Sequence, residues 1–391
     1  MPHPAELTRA PLPRVLAYSD SALFSGAEVV FARVCQDLDR VGVELDLVIA
    51  DENERLTVEL SKLPRKASLR HVPAQGPRLA GLQLRGPRLR RVARLVEDDR
   101  WDVLLCNLPS REFGGAPLLA GRALRGRAAV GLLHVHRTPA ENAFRFGRAR
   151  TVASRGVLRR LHHLFVVAPG ALTPLDRQLD GSVSLLPLPR PLVGQPPHRI
   201  EARRVLGLPP GADVLALVGR LSMRQKGHDV LLDAVRLLDG SQRGLVVVFA
   251  GDGRDRRELE SRVARAGLSS TVRFLGELAD PGVAFAAADA VVIPSRFEGL
   301  PLVALEAAAH GRPGIVTDVD GLREVWPERW RVPPDDAAAL ATALSGLLDE
   351  LRASPQGVMA EVKRLQARVL ALTAPSCAET VLPRLRLEPA A

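Results

Sequence analysis

The sequence has 391 residues, 46% of them hydrophobic and 25% charged, with a formal net charge of +10. That length exceeds one ordinary core and predicts two domains of about 150–200 residues each, and no apolar run approaches the ~18 residues that a membrane span needs. The basic excess is almost all arginine, and aromatics make up only 4% of the chain, so a stacking platform for single-stranded nucleic acid is excluded.

The opening "MPHPAELTRAPLPR" has prolines where a signal peptide needs an apolar core, so a cytoplasmic location is expected. Cys35, Cys106 and Cys377 are odd in number and widely scattered, which fits neither a disulfide framework nor a zinc site. Short β-branched or leucine-rich runs follow at residues 14–18, 43–49, 102–106, 128–134, 164–168 and 182–186, with helical stretches such as 27–40 and 114–125 among them. This alternation predicts a parallel sheet with crossover helices. After the first strand, Gly26-Ala27-Glu28 opens a helix, which marks Glu28 as a candidate on the acceptor side. Between Lys62 and Arg100 lie eleven basic and three acidic residues. Codon bias explains such a run as readily as function does; a functional reading is peripheral contact with an anionic membrane or a phosphate-bearing acceptor. The run 128–134 ends in His134, with His136 and Arg137 just beyond, and both histidines would share a side if the strand ran on. Too few other ligands lie near for a metal site.

The proline-rich stretch 187–199 reads as a linker between a domain at 1–186 and a second at 200–372, with 373–391 a helix returning to the first. A fresh series of strands and helices then begins. Its first strand ends at Gly219-Arg220, with Lys226-Gly227 one loop later. Arginine offers a planar fork and lysine a point charge, together a match for a diphosphate. The next strand ends at Gly251-Asp252-Gly253, where backbone can approach a ligand closely. In "SRFEGLPLVALEAAAHGRPG" (295–314), Pro301 suits the first turn of a helix running to His310, with Gly311 as its terminator. Glu298 precedes that helix and Glu306 lies inside it, while the Gly299 and Leu300 amides sit at its N-terminus, where an anion is favoured. One segment thus offers amides for phosphate and carboxylates for hydroxyls. Asp318 and Asp320 form a D-x-D triplet, a pattern common by chance, and Glu324 follows as a residue that orients a sugar or caps a turn.

Gly219-Arg220-Leu221, Lys226-Gly227, Gly251-Asp252-Gly253, "VRFLGEL" and the Glu298-to-Glu306 spacing, in that order, resemble the retaining glycosyltransferases of family four. The resemblance covers roughly residues 205–330. It implies the GT-B fold: two doubly wound Rossmann-like α/β domains facing across a cleft, the first binding the acceptor and the second a nucleotide diphosphate sugar. It implies that Arg220 and Lys226 bind the donor diphosphate, that Glu306 holds the ribose hydroxyls, that Glu298 lies by the donor sugar, and that the loop from Glu277 to Asp280 lies near the base. Gly26 stands in a glycine-rich loop that meets the donor phosphates, although Ser25 replaces one of the two usual glycines. His134, with His136 as runner-up, stands where a histidine contacts the donor sugar. The implied reaction is metal-independent and needs no cofactor. The expected donor is a UDP-sugar, with a GDP-sugar next; the acceptor is a lipid, saccharide, protein or small natural product. Two alternatives share the fold: a sugar-nucleotide 2-epimerase, which would use the same pocket but needs acid/base carboxylates not evident in the first half, and a non-catalytic partner protein, against which intact Arg220, Lys226, Glu298 and Glu306 argue.

Overall fold

The computed structural model describes residues 11–65, 67–74, 87–97, 100–119, 124, 126–142, 146–191, 197–238 and 244–386. The chain divides into two compact units, Met1–Pro189 with Ala374–Ala391, and Arg190–Thr373.

Unit 1 runs β1 (Arg14–Ser19), α1 (Gly26–Arg40), β2 (Glu44–Ala50), α2 (Glu54–Ser61), β3 (Ser68–Val72), α3 (Pro87–Val96), β4 (Val103–Ser110), α4 (Ala116–Leu119), β5 (Ala128–Val135), α5 (Gly147–Leu158), β6 (His163–Val166), α6 (Leu172–Asp176), β7 (Val183–Leu185) and β8 (Leu188–Pro189). Seven of its strands pair in the order β3-β2-β1-β4-β5-β6-β7, all parallel, and β8 stands outside this sheet. The central strands are apolar on both faces, as helix-covered parallel strands must be, and Val15 to Tyr18 and Leu104 to Cys106 are fully buried. The edge strand β3 escapes the sequence reading because only Val72 in it is buried, while Arg70 and His71 are polar. The expected helix at 114–125 is described only as α4, residues 120–123 and 125 lying outside the described residues. The basic segment 62–100 lies partly outside them as well. Its described helix α3 buries Val92 and Val96 and turns Arg90, Arg91 and Arg94 outward.

Unit 2 runs α7 (Arg199–Val205), β9 (Val214–Val218), α8 (Met223–Lys226), α9 (His228–Leu237), β10 (Val246–Ala250), α10 (Arg256–Arg265), β11 (Val272–Gly276), α11 (Gly282–Ala287), β12 (Ala290–Ile293), α12 (Leu302–Ala309), β13 (Gly314–Thr317), α13 (Leu322–Val325), β14 (Arg331–Val332), α14 (Ala337–Ala353) and α15 (Pro355–Leu372). Its six parallel strands pair as β11-β10-β9-β12-β13-β14. Inside it Arg203, 2% exposed, is a structural arginine. It donates to the carbonyls of Ala287, Pro210 and Ala212 and to Asp289, whose carboxylate also takes the Val214 amide. That network ties α7 to the starts of β9 and β12.

The chain re-enters unit 1 through β15 (Thr373–Ala374) and ends in α16 (Ala378–Leu385). There the Cys377 amide donates to the buried Asp37 of α1 at 2.8 Å, and Arg33 donates to the Pro375 carbonyl. The expected pair of doubly wound parallel α/β units is what the chain forms. Among the described residues no helix is long and apolar enough to cross a membrane.

Candidate functional site

In each unit strand order reverses at one point, between β1 and β4 in unit 1 and between β9 and β12 in unit 2. Loops leaving the strands there part to opposite sides and open a crevice beyond the carboxyl ends, which is where such sheets bind ligands. Of the polar side chains singled out in the sequence, Arg220, Lys226 and Glu298 come together beside β9 and β12, while Glu28 and His134 meet at Asn107 of β4.

In unit 2 the loop after β9 carries Arg220 and leads into the short helix α8, which ends at Lys226. The loop after β12 carries Ser295 to Leu300. They meet at Glu298: Lys226 Nζ donates to Glu298 Oε1 at 2.6 Å, the Ser295 hydroxyl donates to the same oxygen at 2.7 Å, and Gln225 Nε2 reaches Oε2 at 3.4 Å. Arg220 closes the cluster by donating from Nη2 to Gln225 Oε1 at 3.1 Å, and its Nε is buried with no hydrogen-bond partner. Glu298 is 4% exposed, so its charge is tolerable only because Lys226 and two neutral donors surround it.

Arg296 holds the two loops in register. Its guanidinium pairs with Asp229 of α9 at 2.9 Å and with Asp335 at 2.6 Å, and also donates to the Met223 carbonyl. Its amide donates to the Gln225 carbonyl. Gln225 and Arg296 went unnoticed in the sequence; the one available signal was a charged residue two before Glu298.

Close backbone contact accounts for the glycines. A Cβ on Gly251 would lie 2.1 Å from the Gly219 carbonyl oxygen, and one on Gly253 would lie 2.4 Å from that of Leu221. The loops after β9 and β10 therefore touch main chain to main chain. Similarly, a Cβ on Gly321 would lie 1.4 Å from the Gly299 oxygen, so the Asp318–Gly321 loop presses on the Gly299-Leu300 backbone. Asp318 is paired with Arg323 at 3.0 Å and Arg331 at 2.8 Å, and Asp320 stands 3.8 Å from Arg323. Arginines thus answer the D-x-D carboxylates. Among the described residues no cluster of three or more His, Cys, Asp or Glu side chains could hold a metal ion.

Glu306 is not part of the Lys226 cluster. It sits half-buried on α12, where Pro301 is the capping residue rather than the first helical one and His310 ends the helix. Burial, then the neighbouring Asp280 carboxylate, pushes its pKa up. No described side chain donates a hydrogen bond to it. Asp280 is held by the Gly282 amide at 2.8 Å, and Glu277 is exposed at the end of β11.

In unit 1, α1 opens with a capping box in which both the amide and the hydroxyl of Ser25 donate to Glu28 Oε2, at 2.9 and 2.7 Å. Glu28 is fully buried, and its other oxygen faces Asn107 Nδ2 at 3.4 Å. Its carboxylate is therefore spent on capping and internal contacts and is closed to an acceptor, against the sequence expectation. Burial pushes its pKa up. Gly26 is the first residue of this helix. Asn107 also donates to Ser19 Oγ at 3.1 Å, and its Oδ1 lies 2.9 Å from His134 Nε2. His134 is 7% exposed, and burial lowers its pKa to about 3, so the ring is neutral at ordinary pH.

The expected shared side for the two histidines does not form, because β5 ends at Val135 and His136 lies beyond it. The His136 carbonyl accepts from Arg111 Nε, and Arg137 donates to the Glu141 carbonyl at 3.2 Å. His134 thus belongs to the buried Asn107 network and His136 to a loop bearing arginines. Arg111, whose pKa burial lowers, is another residue the sequence did not signal.

Residues 212–350 match the family model described as "Glycosyl transferases group 1". Among curated proteins the chain is 42% identical over 135 residues to a D-inositol 3-phosphate glycosyltransferase of Jonesia denitrificans, an alignment covering 32% of each. It is 32% identical over 240 residues to a 2-deoxystreptamine N-acetyl-D-glucosaminyltransferase of Streptomyces fradiae, covering 56% of this chain and 55% of that protein. It is 29% identical over 213 residues to the lipopolysaccharide core mannosyltransferase LpsB of Rhizobium meliloti, covering 52% and 60%. The chain therefore spans less than two thirds of the length of these relatives. Among solved structures, Anabaena HepE in complex with UDP superposes with a TM-score of 0.75 at 18% identity, covering 95% of this chain and 99% of that one. Sucrose-phosphate synthase from Thermosynechococcus elongatus does so with 0.69 at 24%, covering 96% and 97%. The chain has the GT-B fold, and its segment 212–350 carries the signature of group 1 glycosyl transferases.

Proposed function

We propose that the protein is a retaining glycosyltransferase that moves a sugar from a nucleotide diphosphate sugar, UDP-sugars first, to an acceptor hydroxyl. The observation that carries this reading is the cluster of Arg220, Gln225 and Lys226 around the buried Glu298, at the crevice of the unit 2 sheet. Lysine has three donors, so Lys226 can keep Glu298 and still meet a diphosphate beside Arg220, whose buried Nε has a donor to spare.

In this reading the bond from the anomeric carbon to the diphosphate breaks as the acceptor oxygen bonds on the same face. The acceptor's proton passes to a diphosphate oxygen. Arg220, Lys226 and the Gly299 and Leu300 amides stabilise the charge that builds on the leaving group. Glu298 holds sugar hydroxyls, Glu306 the ribose, and His134 contacts the sugar. No metal takes part. The names of the relatives, all transferases of sugars, and the UDP bound to HepE support a nucleotide-sugar donor.

The test is thermal stabilisation by UDP, GDP, ADP and TDP, with and without EDTA, on the wild type and on Arg220→Ala. A ligand at a hundredfold excess over its Kd stabilises by about 2.7 kcal/mol. The expected result is a selective shift with UDP that EDTA leaves intact and Arg220→Ala abolishes. No shift with any nucleotide would refute the donor site.

A further inference from the structure

We propose that Asn107 is a positioning residue that holds His134 in one tautomer, and that Glu28 sets the direction of this relay. The argument rests on donor and acceptor chemistry at three buried side chains. Glu28 Oε2 accepts twice from Ser25, from an amide that can only donate and from a hydroxyl. Its Oε1 faces the Asn107 side chain. The two hydrogen bonds from Ser25 favour the ionised carboxylate against its burial; ionised, it accepts only, so the Asn107 group turned towards it is the NH2. The amide oxygen is then left for His134, and its contact with Nε2 at 2.9 Å requires the proton on Nε2. A neutral imidazole carries one ring proton, which makes Nδ1 the acceptor. No described residue donates to Nδ1. The Ser19 hydroxyl, which can donate or accept, follows whichever way the amide points.

The parts are fixed in place. Glu28 and Asn107 are fully buried and His134 nearly so, and α1, β4 and β5 each supply one of them. Reversing the amide of Asn107 would set its NH2 against a protonated Nε2 and its oxygen against a carboxylate, two repulsive contacts in a buried site. The network is therefore directional. The tautomer follows from hydrogen bonding alone; its use in sugar transfer rests on the reading of His134 given above.

Glu28→Gln makes a sharp test, because it changes one donor and no shape. Ser25 still demands an acceptor, so the glutamine oxygen takes that place and its NH2 faces Asn107. The Asn107 amide must then reverse, and His134 must move its proton to Nδ1. Nitrogen-15 NMR of ring-labelled protein reads this directly, with the His134 signals assigned by their loss in His134→Gln. The expected result is Nε2–H in the wild type, Nδ1–H in Glu28→Gln and a mixture of both in Asn107→Leu. Release of UDP from UDP-glucose should fall on the order of a hundredfold in Glu28→Gln, the cost of misplacing a reacting group, while stabilisation by UDP is unchanged. One unchanged tautomer in all three proteins overturns the relay. An inverted tautomer with undiminished UDP release supports the relay and refutes the role given to His134. Asn107→Leu keeps the test open should Glu28→Gln fail to fold.

Discussion

Lys226→Ala leaves Glu298 as a carboxylate with 6% of its side chain exposed and no cation beside it. Removing one partner of a buried ion pair costs roughly 3–5 kcal/mol, since the remaining charge stays buried. The Ser295 hydroxyl at 2.7 Å and the Gln225 amide at 3.4 Å remain on the carboxylate, which places the expected loss at the low end, about 3 kcal/mol. Of the three tryptophans, Trp326 and Trp330 are in unit 2 and Trp101 in unit 1. Denaturant unfolding followed by fluorescence in a Trp101→Phe background therefore reports on unit 2 alone. Lys226→Met combined with Glu298→Gln should recover most of the loss, because both charges leave together. A loss below about 1 kcal/mol, the worth of a surface pair, would show that Glu298 is not held as described and would remove the reason for its placement.

Other outcomes follow from single contacts. Under the proposal that Glu306 holds the ribose, nucleotide affinity should fall on acidification, because burial and Asp280 raise its pKa and a protonated carboxyl accepts more weakly from ribose hydroxyls; titration calorimetry on Glu306→Gln should show weaker binding with this pH dependence gone. His228 is fully buried, and burial lowers its pKa to about 3 against the opposing pull of the Ser222 backbone. Its unfolded form binds a proton near the usual value of about 6.5, so stability should be lost as pH falls from there towards 3. His228→Phe should flatten that slope in unfolding curves taken across the range. Arg203→Leu should destabilise unit 2 by roughly 3 kcal/mol, the low end for a broken buried pair, since three carbonyls lose their donor while Asp289 keeps Arg199 and the Val214 amide; a midpoint within error of wild type would contradict that network.

The charged residues after β9 and β12 were legible because each follows an apolar run and stands beside glycine or proline, where a strand has ended and a side chain is free to face a ligand. Asn107 was not. It lies inside the run "LLCNLPS" of β4, and the partner that gives it meaning, Glu28, is 79 positions away. Glu28 itself was misread for a related reason: a capping box and a ligand-facing loop both place a carboxylate at the start of a helix. The parallel sheets were readable from the alternation of strands and helices except at β3 and β14, where an edge strand with one buried residue has no hydrophobic period to show. Arg296 escaped because its partners, Asp229 and Asp335, come from separate elements that only the folded chain brings together.

The glycine contacts also decide how this chain can be recombined. Gly219 with Gly251, and Leu221 with Gly253, touch through main-chain atoms, so neither loop can be lengthened or exchanged without its neighbour. A graft of the loop after β10 alone that replaced Gly251 or Gly253 would bring a Cβ into the space of the Gly219 or Leu221 carbonyl, whatever the quality of its side chains. The workable cuts are the two chain crossings, at Pro189–Arg190 and Thr373–Ala374. A hybrid built at those seams carries the loops after β9 and β10 together, as one casting.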